Sequence, residues 1–390
     1  MRFAIRLLRS LTLAAAGVVL AAGLVVLAAS DKPGEIDWNY ARQLRAKETS
    51  GQTLTPEERA YLERAKQLRA QQGGTQQPGA PGPAPTPVET TGLVPLDQMS
   101  AQDKYKGEDG GLYGGGRNEP PQAQAKAAQA ALGRIVPLDA EGRPAPDGKI
   151  VLLSMGMSNT TQEFSRFKEL ADQDPAKSPQ VVIVDGAQGG KDAATWDARE
   201  NTPVWDFVAK RLEAAGVTAR QVQVAWVKHA RIGPSRFGEF PAHAKELRDH
   251  IVGSLQIAQE HFPNLRVAYL SSRIYAGYAS TPLNPEPFAY ESAFAVRWVI
   301  LDQAKGDPKL NYDPSRGQVT APIVLWGPYL WGDGMTPRKS DGLVWKREDL
   351  AGDGTHPSPT SGRDKVGGLV LKFFKTDPLA CGWFVKPGAK

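Results

Sequence analysis

The distribution of apolar residues along the chain changes at about position 148. Beyond it, nearly continuous apolar runs occur at 150–155, 181–186, 222–227, 266–272 and 322–327. The segments between them carry apolar residues at helical spacings of three and four, most clearly over 241–262. Continuous apolar strands that alternate with helices are typical of a parallel sheet covered on both faces. The pattern therefore predicts an α/β fold, a three-layer α/β/α sandwich with a five-stranded, mostly parallel sheet, over residues 148–390.

A separate apolar stretch lies near the N-terminus. Residues 11–29 are almost wholly apolar and follow three arginines within the first nine residues, which is the pattern of an export signal. The stretch is close to the roughly 20 residues that span a bilayer, so residues 1–30 are an uncleaved membrane anchor, which we favour, or a cleaved signal peptide. The rest of the chain is then exported: membrane-anchored and facing the periplasm or the cell exterior, or secreted.

Weaker patterns occupy residues 31–147. Thr55 to Glu58 combine a helix cap, a proline and a capping-box glutamate, which predicts a short helix within a polar spacer over 31–71. Such a helix is too small to bury a core, so a spacer is favoured over self-association. Residues 72–98 are rich in proline and glycine and predict a flexible linker. Residues 99–147 are interpreted as an N-terminal extension of the main domain.

Composition narrows the possible functions. The chain has 47 basic and 42 acidic residues, a formal net charge of +5, without a basic stripe interleaved with aromatic residues. Nucleic-acid binding is therefore not expected. The only cysteine, Cys381, excludes an intramolecular disulfide and any multi-cysteine metal site. No metal and no cofactor are expected.

Candidate catalytic residues follow the first two predicted strands. Ligands bind at the carboxyl ends of the strands in such sheets. Ser158 follows the first strand and precedes a predicted helix, whose backbone N–H groups can stabilise an oxyanion. Taken alone, Ser158 is better explained as a helix cap. Gly189 and Gly190 follow the second strand and allow close approach of the backbone to a ligand, although an ordinary turn explains them equally well.

Asp353 and His356 precede the last predicted helix. A carboxylate three residues before a histidine can fold back and accept the imidazole N–H, which holds the tautomer that a general base needs. The alternative is a surface loop with an incidental histidine.

Taken together, the three motifs occur in the chain order of the SGNH (GDSL-like) hydrolases, which the chain resembles from about residue 148 to 374. The most specific segments are AQGGKDAATW at 187–196 and DGTHPSPTSGRDKVGGLVLKFF at 353–374. The first of these looks like the carbohydrate-esterase branch. The resemblance implies a flavodoxin-like fold and a serine esterase, in which Ser158 is the nucleophile, His356 the base and Asp353 the acid that orients it. Gly189 or Gly190 would match the second oxyanion donor.

The chain departs from the family pattern in two places. Met157 precedes the serine where the family usually has an acidic residue. After the third strand the family presents asparagine, or glutamine in some carbohydrate esterases, but this chain has Lys228 and His229. Either side chain has the polarity to donate to the oxyanion instead. A missing donor typically costs about 10²- to 10³-fold in rate, so this position bears on whether the protein is active.

Aromatic residues are frequent in and beside the strand-end loops. The segment 325–337, LWGPYLWGDGMTP, is the best candidate for a wall against which a sugar stacks, and ordinary packing under long loops is the alternative.

We therefore expect an extracytoplasmic serine esterase that removes acyl groups, such as acetyl, from a carbohydrate or related hydroxyl. One alternative is a catalytically impaired carbohydrate-binding or envelope protein of the same fold. Another is an O-acyltransferase, which would use the same residues with a hydroxyl acceptor in place of water.

Overall fold

The computed structural model describes residues 44, 47, 53–72 and 85–388. These residues divide into two units, those up to position 77 and those from position 78 onward. The predicted export segment, residues 1–30, lies outside the described residues. Within the described ranges, no helix is both long enough and apolar enough to cross a membrane.

The first unit contains helix α1, Pro56–Gln72. Its capping box is formed on both sides: the Glu58 amide donates to Thr55 Oγ1 (3.1 Å) and the Thr55 amide donates to Glu58 Oε2 (3.0 Å). Leu62 of the helix packs with Leu44 and Leu54, all three buried. The helix therefore buries a small apolar face, which its sequence alone did not indicate.

The second unit is built on a five-stranded sheet. The strands are β1 Ile150–Gly156, β2 Val181–Asp185, β3 Val222–Lys228, β4 Val267–Leu270 and β5 Ile323–Trp326. Their order is β2-β1-β3-β4-β5, and every pairing is parallel. Nearly all strand side chains are buried on both faces, which is why the strands appear in the sequence as continuous apolar runs. All five carboxyl ends lie at one edge of the sheet.

Helices cover the sheet. They are α2 Gln122–Leu132, α3 Ser158–Gln173, α4 Ala193–Trp196, α5 Thr202–Ala214, α6 Ala242–His261, α7 Phe288–Lys305, α8 Gly362–Thr376 and α9 Cys381–Phe384. Single 3₁₀ turns lie at Leu96–Gln98, Ala219–Gln221, Pro234–Phe237, Pro308–Leu310, Pro314–Arg316 and Arg347–Asp349. Helix α3 packs against α8 through Phe167 and Phe374, whose ring centroids are 5.5 Å apart, and α6 packs against α7. The predicted three-layer α/β/α sandwich is confirmed.

The segment 88–147 differs from its sequence-based interpretation. Residues 88–99, here called the N-terminal strap, start with a hydrogen bond from the Val88 amide to the Gly277 carbonyl (2.7 Å). Leu96 and Met99 of the strap are buried in the main core. Further along, the buried Arg297 of α7 donates to the Asp109 carbonyl oxygen (2.6 Å). The linker predicted over 72–98 therefore ends before position 88, and the predicted extension 99–147 is part of the second unit.

Candidate active site

Ser158 is the first residue of α3, directly after β1. Gly156 ends the strand, and a β-carbon on it would lie 2.4 Å from the Lys228 carbonyl oxygen and 2.3 Å from Thr160 Oγ1, so only glycine fits this turn. The turn brings Ser158 to the carboxyl edge of the sheet, where it is half-buried.

Asp185, at the end of β2, holds the first turns of α3 in place. Its Oδ1 accepts a hydrogen bond from Ser154 Oγ in β1 (2.5 Å). Its Oδ2 accepts from Thr161 Oγ1 (2.5 Å) and Ser165 Oγ (2.7 Å), both in α3. One carboxylate thus joins two strands to the helix that begins with Ser158. The contact also explains why Ser154 is buried inside the strand and is unavailable as a nucleophile.

Asp353 and His356 lie in a tight turn before α8. Asp353 Oδ1 accepts hydrogen bonds from the amides of Thr355 (3.0 Å) and His356 (3.1 Å), and Oδ2 lies 2.5 Å from His356 Nδ1. Gly354 has φ +66°, and a β-carbon there would lie 1.8 Å from the Tyr278 carbonyl oxygen. The turn is therefore built around glycine and packs against the loop that follows β4.

The structure joins these residues into one hydrogen-bonded chain. Ser158 Oγ lies 2.7 Å from His356 Nε2, while the other ring nitrogen of His356 faces Asp353. Burial alone would raise the pKa of Asp353, but the hydrogen bonds from His356 and Thr355 outweigh it and lower the pKa below its ordinary value. Asp353 is therefore a carboxylate that accepts the Nδ1–H, which leaves Nε2 free to accept the serine proton.

Gly189 lies beside the serine on the β2 side. A β-carbon on Gly189 would be 3.9 Å from Ser158 Cβ, whereas one on Gly190, which has φ +74°, would touch nothing within 4 Å. Among the described residues, the backbone amides of Ser158 and Gly189 have no hydrogen-bond acceptor. Both amides are thus free to donate to an oxyanion, and of the two glycines only Gly189 is close enough to Ser158 for an added β-carbon to touch its side chain.

Lys228 is not available as an oxyanion donor, contrary to the sequence-based expectation. It is 2% exposed, and its Nζ donates to Glu163 Oε1 (2.8 Å) and Oε2 (2.7 Å) beneath α3. Burial lowers the pKa of Lys228 to about 8. Because Lys228 pairs with Gly156 across the sheet, its side chain follows the pleat into the core and does not reach the exposed edge.

His229 does not donate to Ser158 either. Its ring is 2% exposed and lies 5.7 Å from the ring of Trp196, measured between centroids. Neither ring nitrogen has a hydrogen-bond partner among the described residues. Burial lowers the pKa of His229 to about 3, so the ring is neutral near neutral pH. The expected substitution of Lys228 or His229 for the family's third donor is therefore wrong.

The predicted aromatic wall is absent as well. The strand-end aromatic residues are all buried: Trp226, Tyr275, Tyr278, Trp326, Tyr329, Trp331 and Trp345. Trp326 Nε1 donates to the Leu112 carbonyl (2.7 Å) and Trp331 Nε1 to Glu286 Oε1 (2.8 Å). These rings support long loops, the alternative that the sequence left open.

Two buried side chains that the sequence did not single out support the histidine turn. Asn159 Nδ2 and Arg273 Nη2 both donate to the Thr355 carbonyl oxygen, at 2.9 Å and 3.3 Å. Asn159 directly follows Ser158 in the sequence, and this position could have indicated its role in the site. Arg273 follows β4 and resembles any exposed loop arginine in the sequence, so nothing indicated its burial.

The fold and the site define a three-layer α/β/α domain with a serine–histidine–aspartate chain at the carboxyl edge of a parallel sheet. No protein-family model and no curated protein matches the sequence. Among solved structures, the chain is similar to the lipase Lip_vut3 from a goat rumen metagenome, with 15% identity over 57% of this chain and 96% of that one (TM-score 0.31). It is also similar to a candidate platelet activating factor from Streptococcus pneumonia, with 13% identity over 64% and 90% of the two chains (TM-score 0.31). At these TM-scores, neither likeness bears on the substrate.

Proposed function

We propose that this protein is an exported, membrane-anchored serine esterase that removes acyl groups, such as acetyl, from hydroxyl groups of a carbohydrate or a related alcohol. The observation that carries the proposal is the hydrogen-bonded chain from Ser158 Oγ through His356 to Asp353. Export and anchoring rest on the arginine-flanked apolar segment alone.

The first half-reaction acylates the serine. Ser158 Oγ attacks the ester carbonyl while His356 Nε2 accepts its proton, and Asp353 stabilises the imidazolium that forms. Collapse of the tetrahedral intermediate breaks the bond to the alkoxy oxygen, which takes the proton back from Nε2 and leaves as the alcohol. In the second half-reaction, water gives its proton to Nε2 and attacks the acyl-serine, which releases the carboxylic acid and restores Ser158.

The negative charge of both intermediates would be held by backbone donors. The amides of Ser158 and Gly189 are available, and the positive end of the α3 helix dipole adds to them. Because Lys228 and His229 are engaged elsewhere or buried, we expect an oxyanion site of two N–H groups and a correspondingly modest rate.

Replacement of the three residues tests the proposal. Wild type should hydrolyse a chromogenic acetate ester, and Ser158→Ala should lower kcat at least about 10³-fold, with little further loss when His356→Ala is added, because the residues act as a unit. Asp353→Asn should also lower kcat severely, but less than Ser158→Ala does, since it disturbs the histidine tautomer. Steady-state kinetics measure all three.

The matched control is Ser254→Ala, which removes a buried hydroxyl from α6, away from the site, and should retain wild-type kcat. Equal activity of Ser158→Ala and wild type would refute the assignment of the nucleophile.

One observation favours the alternative that this protein binds carbohydrate without catalysis: neither Lys228 nor His229 supplies a third oxyanion donor. A wild-type protein that hydrolyses no acyl ester but binds oligosaccharides would favour that alternative. Transfer of the acyl group to added glycerol in preference to water would instead favour an acyltransferase.

A further inference from the structure

A polar cleft of about 440 Å³ lies between α3 and the start of α8. We call it the α3–α8 cleft; its lining includes Gln162, Arg166, Glu169, Pro359, Arg363 and Asp364. Its volume is sufficient for a single sugar ring or a group of similar size.

The cleft is lined by near neighbours in the chain of Ser158 and His356, although neither of these two residues lines it. Gln162 lies one helical turn after Ser158 on α3, and Pro359 lies three residues after His356. Gly189, with its oxyanion amide, contacts Ser158 from the β2 side. Because His356 returns the proton to the leaving oxygen, the alcohol part of an ester must lie on the side of His356, toward the cleft.

Arg363 is a cation without a protein partner in this cleft. Its guanidinium makes no hydrogen bond or ion pair with any described residue, although its Nε is buried. Arg166, by contrast, binds both carboxylates of the cleft, Glu169 (2.7 Å) and Asp364 (2.5 Å), so neither of them pairs with Arg363. The buried Gln162 Oε1 also has no partner among the described residues. The cleft thus offers one charged donor and one acceptor that no described side chain engages.

We propose that the α3–α8 cleft binds the alcohol part of the substrate and that this part carries a carboxylate, as in an acylated uronic acid. Arg363 donates to the carboxylate, which is the pairing that a guanidinium favours, and Gln162 Oε1 accepts from a sugar hydroxyl. Arg166 balances only one of the two negative charges of Glu169 and Asp364, so the remaining charge would repel a phosphate dianion more strongly than a carboxylate, and a monoanion is favoured. The inference rests on the proposed esterase function.

The test compares two esters that differ only at the carboxylate, which is an uncharged amide in the second: a monoacetylated methyl glucuronoside and the corresponding glucuronamide. For the full-length protein we expect a higher kcat/KM on the acid. Arg363→Gln should lower the acid-to-amide ratio of kcat/KM by about 10- to 100-fold, the usual effect of losing a charge-assisted hydrogen bond. Arg363→Lys keeps the positive charge and should retain part of the preference for the acid.

Arg134→Gln is the matched control, since Arg134 also makes no side-chain hydrogen bond or close ion pair with a described residue but lies beside Arg266, outside the cleft; it should leave the ratio unchanged. An unchanged ratio in a folded Arg363→Gln variant would overturn the inference while leaving the esterase proposal intact.

Calorimetric titration of methyl glucuronoside tests the cleft without turnover. Weaker binding to Arg363→Gln than to wild type supports the proposal that the α3–α8 cleft binds a carboxylate. If the wild type binds in this way but hydrolyses no ester, only the esterase proposal fails. Equal binding to both proteins, or none to either, counts against the cleft.

Discussion

His229 shows how strongly burial changes the protonation of a single residue. Its imidazole is buried with both nitrogens unpartnered, and burial lowers its pKa to about 3. In the unfolded chain its pKa is about 6.5. The unfolded protein therefore binds a proton that the folded protein excludes.

This difference predicts a loss of stability in acid. Between about pH 6.5 and about pH 3 only the unfolded chain is protonated at His229, so the free energy of unfolding falls as the pH falls. At pH 5 the loss due to His229 should be about 2 kcal/mol, since each pH unit below 6.5 contributes about 1.4 kcal/mol. Urea unfolding of wild type and His229→Leu at pH 7.5 and pH 5 measures it, because the variant should lack this component.

His261 serves as the control. His261 is exposed, but its ring stacks on Trp205 and partial desolvation lowers its pKa as well, so His261→Leu should remove a smaller part of the acid sensitivity. The same pH dependence in wild type and His229→Leu would contradict the assignment.

At the scale of elements, a buried ion pair joins β3 to α3. Lys228 and Glu163 are 2% and 0% exposed and contact each other through both carboxylate oxygens. Such a pair is costly to desolvate, but breaking it from one side costs more, because the remaining charge stays buried without its hydrogen-bonded partner.

We therefore expect Lys228→Met to lower the free energy of unfolding by about 3–5 kcal/mol. Adding Glu163→Gln should restore part of the loss, since a buried amide costs less than a buried carboxylate. A double-mutant cycle in urea measures the coupling. If Lys228 instead donated to the oxyanion, Lys228→Met and the double variant would both lose kcat to the same large extent. The double-mutant cycle would then show no coupling between the two residues in the free energy of unfolding.

The contrast between the site and this pair shows what sequence could predict. The five strands were recognisable because each is buried on both faces and so consists of a continuous apolar run. Asp353 and His356 were recognisable because their turn closes within four residues. The direction of the Lys228 side chain depends on the pleat of β3 and on which helix covers it, which no local pattern contains.

Apolar loop residues were equally hard to interpret. Trp326 and Trp331 look alike whether they face a ligand or lie under a loop, because only tertiary packing separates the two. Leu96 and Met99 are too sparse to show a period, so the core segment that contains them was divided between the predicted linker and the predicted extension.

At the scale of the whole molecule, the N-terminal strap closes the second unit over its C-terminal loops. Asp333 Oδ1 accepts from the Thr91 amide (2.7 Å) and hydroxyl (2.6 Å), and its Oδ2 accepts from the Gly92 amide (2.9 Å). The Leu96 amide donates to the buried Tyr329 hydroxyl (3.0 Å). The strap thus satisfies polar groups of the segment 325–337 while it fills the core.

Truncation should reveal this role. A chain that starts at residue 85 should unfold with the same urea midpoint as a chain that starts at residue 78, because it keeps the whole strap. A chain that starts at residue 100 loses the buried Leu96 and Met99 and should be less stable by about 3–6 kcal/mol, at about 1.5–3 kcal/mol for each side chain. Equal midpoints for the chains from 85 and from 100 would show that the strap only covers a surface.

The serine and the histidine that it contacts are 198 positions apart in the chain. During synthesis at about 5–20 residues per second, the serine emerges roughly 10 to 40 seconds before the histidine. Throughout that interval Ser158 is an ordinary hydroxyl without a base, so a nascent chain carries no reactive nucleophile. Labelling by a serine-directed phosphonate would therefore begin only when the last loop has docked, and its onset would time the completion of the fold.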